Sequence, residues 1–599
     1  MQKFRNLPWQ LLLKIGGVLS VIIVSNLFFQ LTQNEFSFDL AFKFAFSWHT
    51  EKFFLGCLVL LIFYGWLSSL LGSLKLGSIV YLLVTIGIGS ANFLKMNYRM
   101  EPIYPDDLKM IIEFGMIRDI VGLPLFLLFL LLIVAGVCVL FFSWKKSLKL
   151  GKKQQWVRIV GFVLTSSLLF YIGSFNQQAN LLRKAYNKTA LWIPYSQKMN
   201  YYNTGFIGGF LYNLPVDAME KPKDYSKAKI KEVVDDYQAE KDSAAEKPNI
   251  VYVMSESFSD PQRLKGLEIL GGDPLQDYRS VAGQTYSGQM LSQNYGGGTA
   301  NIEFEALTGF SMALFNAQMT TPYTMLVPEF DSFPSLVGTL KKRGYETTAI
   351  HPYNTSMYKR KDVYQTFGFD QFLDEKTMKH TAKLENNPYI SDASAYKEVL
   401  AQLKTKTPQF LHLVTMQTHM PYEDKYTELP YIAKGDNSSA VRSYLQDIAY
   451  SSEALKSFLK KLDKLPERTL VVFWGDHLPG IYSDTIQAAN QGYRLHETEF
   501  LMYDNRHKLP AQQVTTSPFY FAADLFQQGQ LQMTGFQNLL VTLQKELPAF
   551  EKGMYYQSGQ WGKEARLNNA QEKIYQAYQL IQYDITAGEQ YSLQENFFE

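Results

Sequence analysis

The stretch Asn249–Ser257, NIVYVMSES, decides the fold. Ile250 to Met254 are apolar or aromatic without a break, which reads as a strand buried on both faces rather than one with a wet side. The run stops abruptly on Ser255, Glu256 and Ser257. Three further runs repeat this design. Glu346 to Ile350, preceded by a helical stretch from Ser332 to Arg343 and a Gly344 stop, leads into His351. Phe410 to Met416 leads to His419, and Thr469 to Trp474 leads into Gly475, Asp476 and His477. Strands alternating with helices imply a mostly parallel sheet with helices on both faces. In such sheets the carboxyl ends of the strands line the ligand crevice, so Glu256, His351, His419 and the Asp476–His477 pair are expected along one edge.

The segment Gly296 to Glu305, GGGTANIEFE, carries the chemistry. Consecutive glycines allow positive φ and close approach to a ligand, and the residues after them favour a helix. Thr299 then stands at a helix N-terminus, where free N–H groups and the dipole attract an anion. The plainer reading makes Thr299 only an N-cap, but a capping box wants Glu or Gln where Ile302 stands. Glu256, Asp476 and His477 offer hard oxygen and imidazole donors suited to Mn²⁺ or Mg²⁺ beside a phosphate, and the Thr299 hydroxyl completes such a shell. Coordination would activate that hydroxyl as a nucleophile and clamp phosphate oxygens. Taken singly, Glu256 also fits a turn cap, Asp476 an Asx-turn, and His351 or His419 a loop histidine satisfied by its neighbours. Their joint placement at strand ends is what points to a site.

The first third of the chain is different. Five apolar runs, about Trp9 to Leu31, Phe53 to Leu71, Leu76 to Leu94, Ile120 to Phe142 and Val157 to Gly173, each approach the ~20 residues that cross a bilayer. The first follows Lys3 and Arg5 like a signal peptide, but it lacks a small-residue cleavage site and another span follows, so it reads as an anchor. Lys145, Lys146, Lys149, Lys152 and Lys153 crowd one connection without an acid, and Lys75 marks the short Gly72–Lys75 turn. Those connections face the cytoplasm by the positive-inside rule, which leaves the N-terminus inside and everything after Gly173 outside. The expected organisation is a five-helix transmembrane domain (1–175), a juxtamembrane linker (176–247) and an extracellular α/β domain (248–599). Cleavage of the linker near Asp217 and Ala218 or Ala244 and Ala245 would release the outer domain. With 58 Lys+Arg against 56 Asp+Glu, the chain is no nucleic-acid binder. The two cysteines, Cys57 and Cys138, both lie in apolar runs, which excludes a disulfide framework, a Cys-ligated zinc or a Cys nucleophile outside.

Asn249 to Ser257, GGGTANIEFEALTG from Gly296 to Gly309, and FWGDHLPG from Phe473 to Gly480 resemble the lipoteichoic acid synthase family of Gram-positive bacteria, within the alkaline phosphatase/sulfatase superfamily. The resemblance spans nearly the whole chain. It implies Mn²⁺ held by Glu256, Thr299, Asp476 and His477, with Thr299 as nucleophile and His351, Arg360 and His419 around the substrate phosphate and glycerol. It implies transfer of glycerol phosphate from phosphatidylglycerol, through a glycerophospho-threonine, to a glycolipid-anchored chain or related cell-wall polymer, with release of diacylglycerol into the membrane. His351 or His419 is the expected proton carrier. One departure stands out: where polyglycerol-phosphate synthases carry an Asp and a Trp after the histidine, this chain has Tyr353 and Tyr358. Both would alter the wall that recognises glycerol, leaving donor and acceptor open.

Three other functions compete with this reading. A sulfatase needs a Cys or Ser for formylglycine, and Thr299 is followed by Ala300, Asn301 and Ile302. A phosphoethanolamine-type transferase shares the threonine and the spans but usually carries disulfides. A membrane-anchored sensor or scaffold with an inactive phosphatase-like domain would have little use for the full set of Thr299, Glu256, Asp476 and His477.

Overall fold

A computed structural model of the chain describes residues 9–99 and 151–599, apart from 178, 190–196, 216, 240–245, 317–318, 354, 356 and 406, with scattered positions between 102 and 145. It divides into two units, Met1–Val216 and Asp217–Glu599.

In the first unit α1 (Trp9–Gln33), α2 (Thr50–Leu71), α3 (Leu74–Arg99) and α4 (Lys152–Gly173) are each long and apolar enough to cross a membrane. About half of the remaining expected span, Ile120 to Phe142, falls outside the described residues. Helix α2 lies at the centre, packed on α1, α3 and α4. Helix α5 (Gln197–Tyr212) docks on the same bundle, with Phe206 stacked on Phe29 at 4.5 Å. It is kinked at Gly205, φ 74°, and the buried Lys52 ammonium takes the nearby Asn203 carbonyl at 2.7 Å. Such a capture is how a broken helix keeps its polar backbone satisfied in an apolar surrounding.

The 176–247 stretch is therefore divided rather than one free linker. Up to Val216 it belongs with the helical unit, whereas α6 (Lys227–Asp236) buries Ile230, Val233 and Val234 within the second unit. Ala218 is buried, and its carbonyl accepts the Asn316 N–H at 2.9 Å, so a protease would first have to detach it. The other cleavage position expected from sequence, at Ala244 and Ala245, lies outside the described residues.

The second unit is built on an eight-stranded sheet: β1 (Asn249–Ser255), β2 (Ser287–Leu291), β3 (Glu346–His351), β4 (Gln371–Asp374), β5 (Gln409–Val414), β6 (Thr469–Gly475), β7 (Glu497–Asp504) and β8 (Gln513–Thr516). The spatial order is β8-β2-β7-β6-β1-β5-β3-β4, and only β7 runs against its neighbours. β1 is central and buried at every position, as its unbroken apolar run requires. Successive side chains point to opposite faces. Val251, Val253, Leu411, Leu413, Val471 and Phe473 pack against Leu445, Ile448 and Leu455 of one helical layer. Tyr252, His412 and Trp474 face the other way, with Tyr252 and Trp474 edge to face at 5.4 Å.

The β1–β6 register runs from Asn249↔Thr469 to Ser255↔Gly475. It demands a glycine at the last position, because a Cβ on Gly475 would lie 1.7 Å from the Phe258 carbonyl oxygen. Backbone cannot swing aside as a flexible side chain does. Gly475→Ala should therefore destabilise the fold by about 1–3 kcal/mol or more, seen as a lower melting temperature of the full-length protein in detergent. Unchanged melting would mean that the two strand ends separate freely.

Candidate active site

Helix α7 (Thr299–Thr308) opens behind Gly296, Gly297 and Gly298, with φ of 72°, 157° and 91°. Gly298, not Thr299, is the N-cap, and a Cβ there would meet Asn294 Nδ2 at 1.9 Å. Thr299 is thus the first helical residue, with its hydroxyl released from capping. The glycine loop is tied to the strand exit that carries Asp476, through Gly296 N–H to the Leu478 carbonyl at 2.9 Å.

Thr299 Oγ1 donates to Asp476 Oδ2 at 2.7 Å and lies 3.4 Å from His477 Nε2. His477 Nε2 is 3.3 Å from Asp476 Oδ2 and 3.7 Å from Glu256 Oε1. His477 Nδ1 is 2.9 Å from the Leu478 carbonyl. A proton on Nδ1 satisfies that carbonyl and turns the Nε2 lone pair toward the carboxylates. Both carboxylates are held from behind: Asp476 Oδ1 accepts the Ser257 and His477 N–H groups, each at 2.7 Å, and Glu256 Oε1 accepts Ser257 Oγ at 2.9 Å.

These residues fit a divalent cation. Glu256, Asp476 and His477 offer one donor atom each within 4.8 Å of one another, all three buried. Burial and then the Glu256 charge push Asp476 up to about 6, opposed by His477 and Thr299. Burial lowers His477, yet Asp476 and Glu256 outweigh it and raise the imidazole. Two acids crowded together out of water, with only an imidazole between them, are what a metal ion relieves.

Beside this cluster stands a second one. His351 ends β3, with Nδ1 3.0 Å from the Val414 carbonyl and Nε2 3.5 Å from Arg360 Nη1. Arg360 opens α8 (Arg360–Phe367) after two left-handed non-glycine residues, Tyr358 and Lys359, at φ 60° and 51°. Such backbone persists only where its surroundings over-determine it. Here the determinant is Glu303, whose Oε2 receives Arg360 Nη2 at 2.8 Å and Nε at 3.2 Å. Its other oxygen receives Tyr364 at 2.5 Å and lies 3.1 Å from His412 Nε2. Burial would raise the Glu303 carboxyl, but Arg360, His412 and Tyr364 hold it well below the usual range. Burial, then the Arg360 charge, lowers His351 to about 3. His351 is therefore neutral across the physiological range.

His419 follows β5 on a loop fastened to β1, where Thr418 donates to the Glu256 carbonyl. Its Nδ1 lies 2.7 Å from the Met420 carbonyl and 3.1 Å from the Tyr389 hydroxyl. A proton on Nδ1 leaves Nε2 as a free lone pair. Lys425, buried, anchors the same loop through the His419 carbonyl at 2.7 Å, the Gln417 carbonyl at 2.8 Å and Asp447 Oδ2 at 2.7 Å. Tyr353 and Tyr358 are half-buried, Tyr353 edge to face with His351 and Tyr358 under the Arg360 guanidinium at 5.2 Å.

Sequence reasoning passed over Glu303, His412, Tyr389, Lys425 and Asp447. Glu303 had a signal: it sits four residues after Thr299, on the same face of a buried helix. The others come from separate loops and strands with no local pattern to reveal them.

A sulfatase family model matches residues 248–530. The chain is 30% identical over 489 residues to a putative cyclic beta-1,2-glucan modification protein of Rhizobium meliloti, covering 78% of this chain and 74% of that protein. A lipoteichoic acid synthase of Staphylococcus saprophyticus is 27% identical over 274 residues, 44% of this chain and 40% of its own length. Among solved structures, the Streptococcus pyogenes phosphoglycerol transferase GacH in complex with sn-glycerol-1-phosphate superposes with a TM-score of 0.56 at 26% identity, over 64% of this chain and 99% of that one.

Because Glu303 is the buried counter-ion of Arg360, Glu303→Gln should lower the unfolding free energy by about 3–5 kcal/mol. Lys434→Ala, which breaks the exposed pair with Glu268, should leave melting unchanged. Thermal unfolding of the two variants side by side checks both outcomes.

Proposed function

This chain belongs to the sulfatase family of the alkaline phosphatase/sulfatase superfamily, and on that premise we propose that it is a membrane-anchored glycerol-phosphate transferase. It takes glycerol phosphate from phosphatidylglycerol, forms a glycerophospho-threonine on Thr299, releases diacylglycerol, and passes glycerol phosphate to a hydroxyl of a cell-surface glycopolymer. The observation that carries this reading is the convergence of Thr299 Oγ1 on Asp476 Oδ2, at 2.7 Å, inside the Glu256–Asp476–His477 donor set. The glucan-modifying and phosphoglycerol-transferring relatives support a glycan acceptor and this donor chemistry. The lysine-rich connection around 145–153 supports an N-terminus in the cytoplasm and the second unit outside. There the donor lipid and the returning diacylglycerol both have access to the outer leaflet.

In the first half-reaction Thr299 Oγ1 attacks phosphorus, the bond from phosphorus to the diacylglycerol oxygen breaks, and the threonine proton passes toward Asp476 Oδ2. The departing diacylglycerol oxygen takes a proton from His419 Nε2, so the imidazole enters this half protonated on both nitrogens and leaves it with the Nε2 lone pair free. In the second half the acceptor oxygen attacks phosphorus, its proton goes to His419 Nε2, and the bond to Thr299 Oγ1 breaks. His351, whose imidazole is lowered by burial and then by the Arg360 charge, serves in this reading as a neutral wall that positions Arg360. With Nε and Nη2 of Arg360 held by Glu303, its Nη1 edge is what remains for a phosphate oxygen. A divalent cation, Mn²⁺ or Mg²⁺, held by Glu256, Asp476 and His477 with the Thr299 hydroxyl, supplies nucleophile activation and stabilisation of phosphate charge when bound.

Incubating the full-length protein with labelled phosphatidylglycerol should yield labelled diacylglycerol, and Thr299→Ala should abolish that product while melting unaltered. Full activity of the variant would end the covalent mechanism. Chelation should silence turnover, with Mn²⁺ restoring it best; turnover that survives metal stripping would remove the cation from the reaction.

A further inference from the structure

Four rings form an arc at the rim of the site. His351 meets Tyr353 at 6.2 Å and 75°, Tyr353 meets Tyr389 at 5.7 Å and 70°, and Tyr389 meets His419 at 5.4 Å and 75°. Only His351 is fully buried; the other three are half-exposed. Each contact is edge to face, the arrangement that lets neighbouring rings hold one another in fixed orientations. Tyr389 is fixed further: its hydroxyl donates to the Met420 carbonyl at 2.5 Å, and the Lys425 ammonium lies 5.4 Å from its ring centre. The hydroxyl does not ionise near neutral pH, since burial, with Tyr353 and Glu256 beyond it, pushes Tyr389 up to about 12.

Two buried cations beside this arc are already paired. Arg360 is held by Glu303 and Lys425 by Asp447, all four side chains buried. The arc offers rigid, uncharged aromatic surface ending at His419, whose Nε2 receives the acceptor proton in the reaction above. Such a surface complements the apolar C–H face of a pyranose ring, which is flat, neutral and edged with hydroxyls.

We infer that Tyr353 and Tyr389 form the acceptor subsite, a platform that stacks a neutral sugar ring and delivers one of its hydroxyls to His419 Nε2. This rests on the transferase reading above and names the acceptor class within it. The sugar oxygen bonds to phosphorus as the phosphorus–Thr299 bond breaks, the sugar proton moves to His419, and Thr299 recovers a proton from Asp476.

Full-length protein in detergent, given phosphatidylglycerol, is offered methyl glucoside, methyl N-acetylglucosaminide and methyl rhamnoside, each in competition with glycerol, and the glycerophosphorylated products are quantified. Wild type should favour at least one pyranoside over glycerol by tenfold or more. Tyr389→Leu and Tyr353→Leu should each bring that ratio close to one, whereas Tyr389→Phe, which keeps the ring, should preserve it. A ratio measured within one sample does not depend on how much of a variant is folded. Diacylglycerol release without pyranoside preference, or a preference that survives both leucine variants, overturns the subsite while leaving the transferase reading intact. No diacylglycerol release from wild type overturns the transferase reading and the subsite with it.

Discussion

Two carboxylates that would repel one another leave neighbouring strands one residue beyond a matched pair: Glu256 follows Ser255 and Asp476 follows Gly475, which are partners in the β1–β6 ladder. The ladder leaves them no freedom to separate, and their burial denies them water. Everything nearby answers that constraint. Backbone N–H groups of Ser257 and His477 take one Asp476 oxygen, the Ser257 hydroxyl takes Glu256, and the Thr299 hydroxyl takes the other Asp476 oxygen. The Thr299 hydroxyl is thus held by the same electrostatic demand that favours a cation. The glycine loop, pinned to the Leu478 carbonyl, fixes the helix that carries it.

The sheet was legible because its strands announce themselves. The nearly unbroken apolar runs before Glu256 and Asp476, with the β-branched run that leads into His351, leave few arrangements other than a parallel sheet with those residues on one edge. Thr299 was legible through its glycines, for the positive φ at Gly298 admits few other residues. The supporting layer was hidden. Asp447 lies in a helix, α9 (Ser439–Leu462), whose sequence gives no reason to single it out, and it meets Lys425 only because the chain returns past the His419 loop. His412 sits inside β5 among apolar neighbours, where pattern alone makes it one more buried residue. In the membrane half, length and hydropathy mark the helices, but the docking of α5 depends on the Gly205 kink and on Lys52, a pairing more than 150 residues apart.

Two buried ion pairs, Glu303–Arg360 and Asp447–Lys425, flank the site, and the reason for them is not stability. Desolvating four charges costs several kcal/mol per ion, and apolar residues of the same volume would often hold the fold as well or better. What an ion pair supplies is direction. Arg360 must keep one edge toward His351 while its backbone enters α8 through two strained residues, and only a fixed acceptor on the far side enforces that orientation. Lys425 likewise pulls two loop carbonyls toward Asp447, and one of them belongs to His419. Glu303 rides on the helix that begins with Thr299, so the group that orients the arginine and the proposed nucleophile are parts of one rigid body. A shift of Thr299 would carry Glu303 with it and disturb Arg360 in the same motion, which in the proposed reaction ties the geometry of attack to that of phosphate binding.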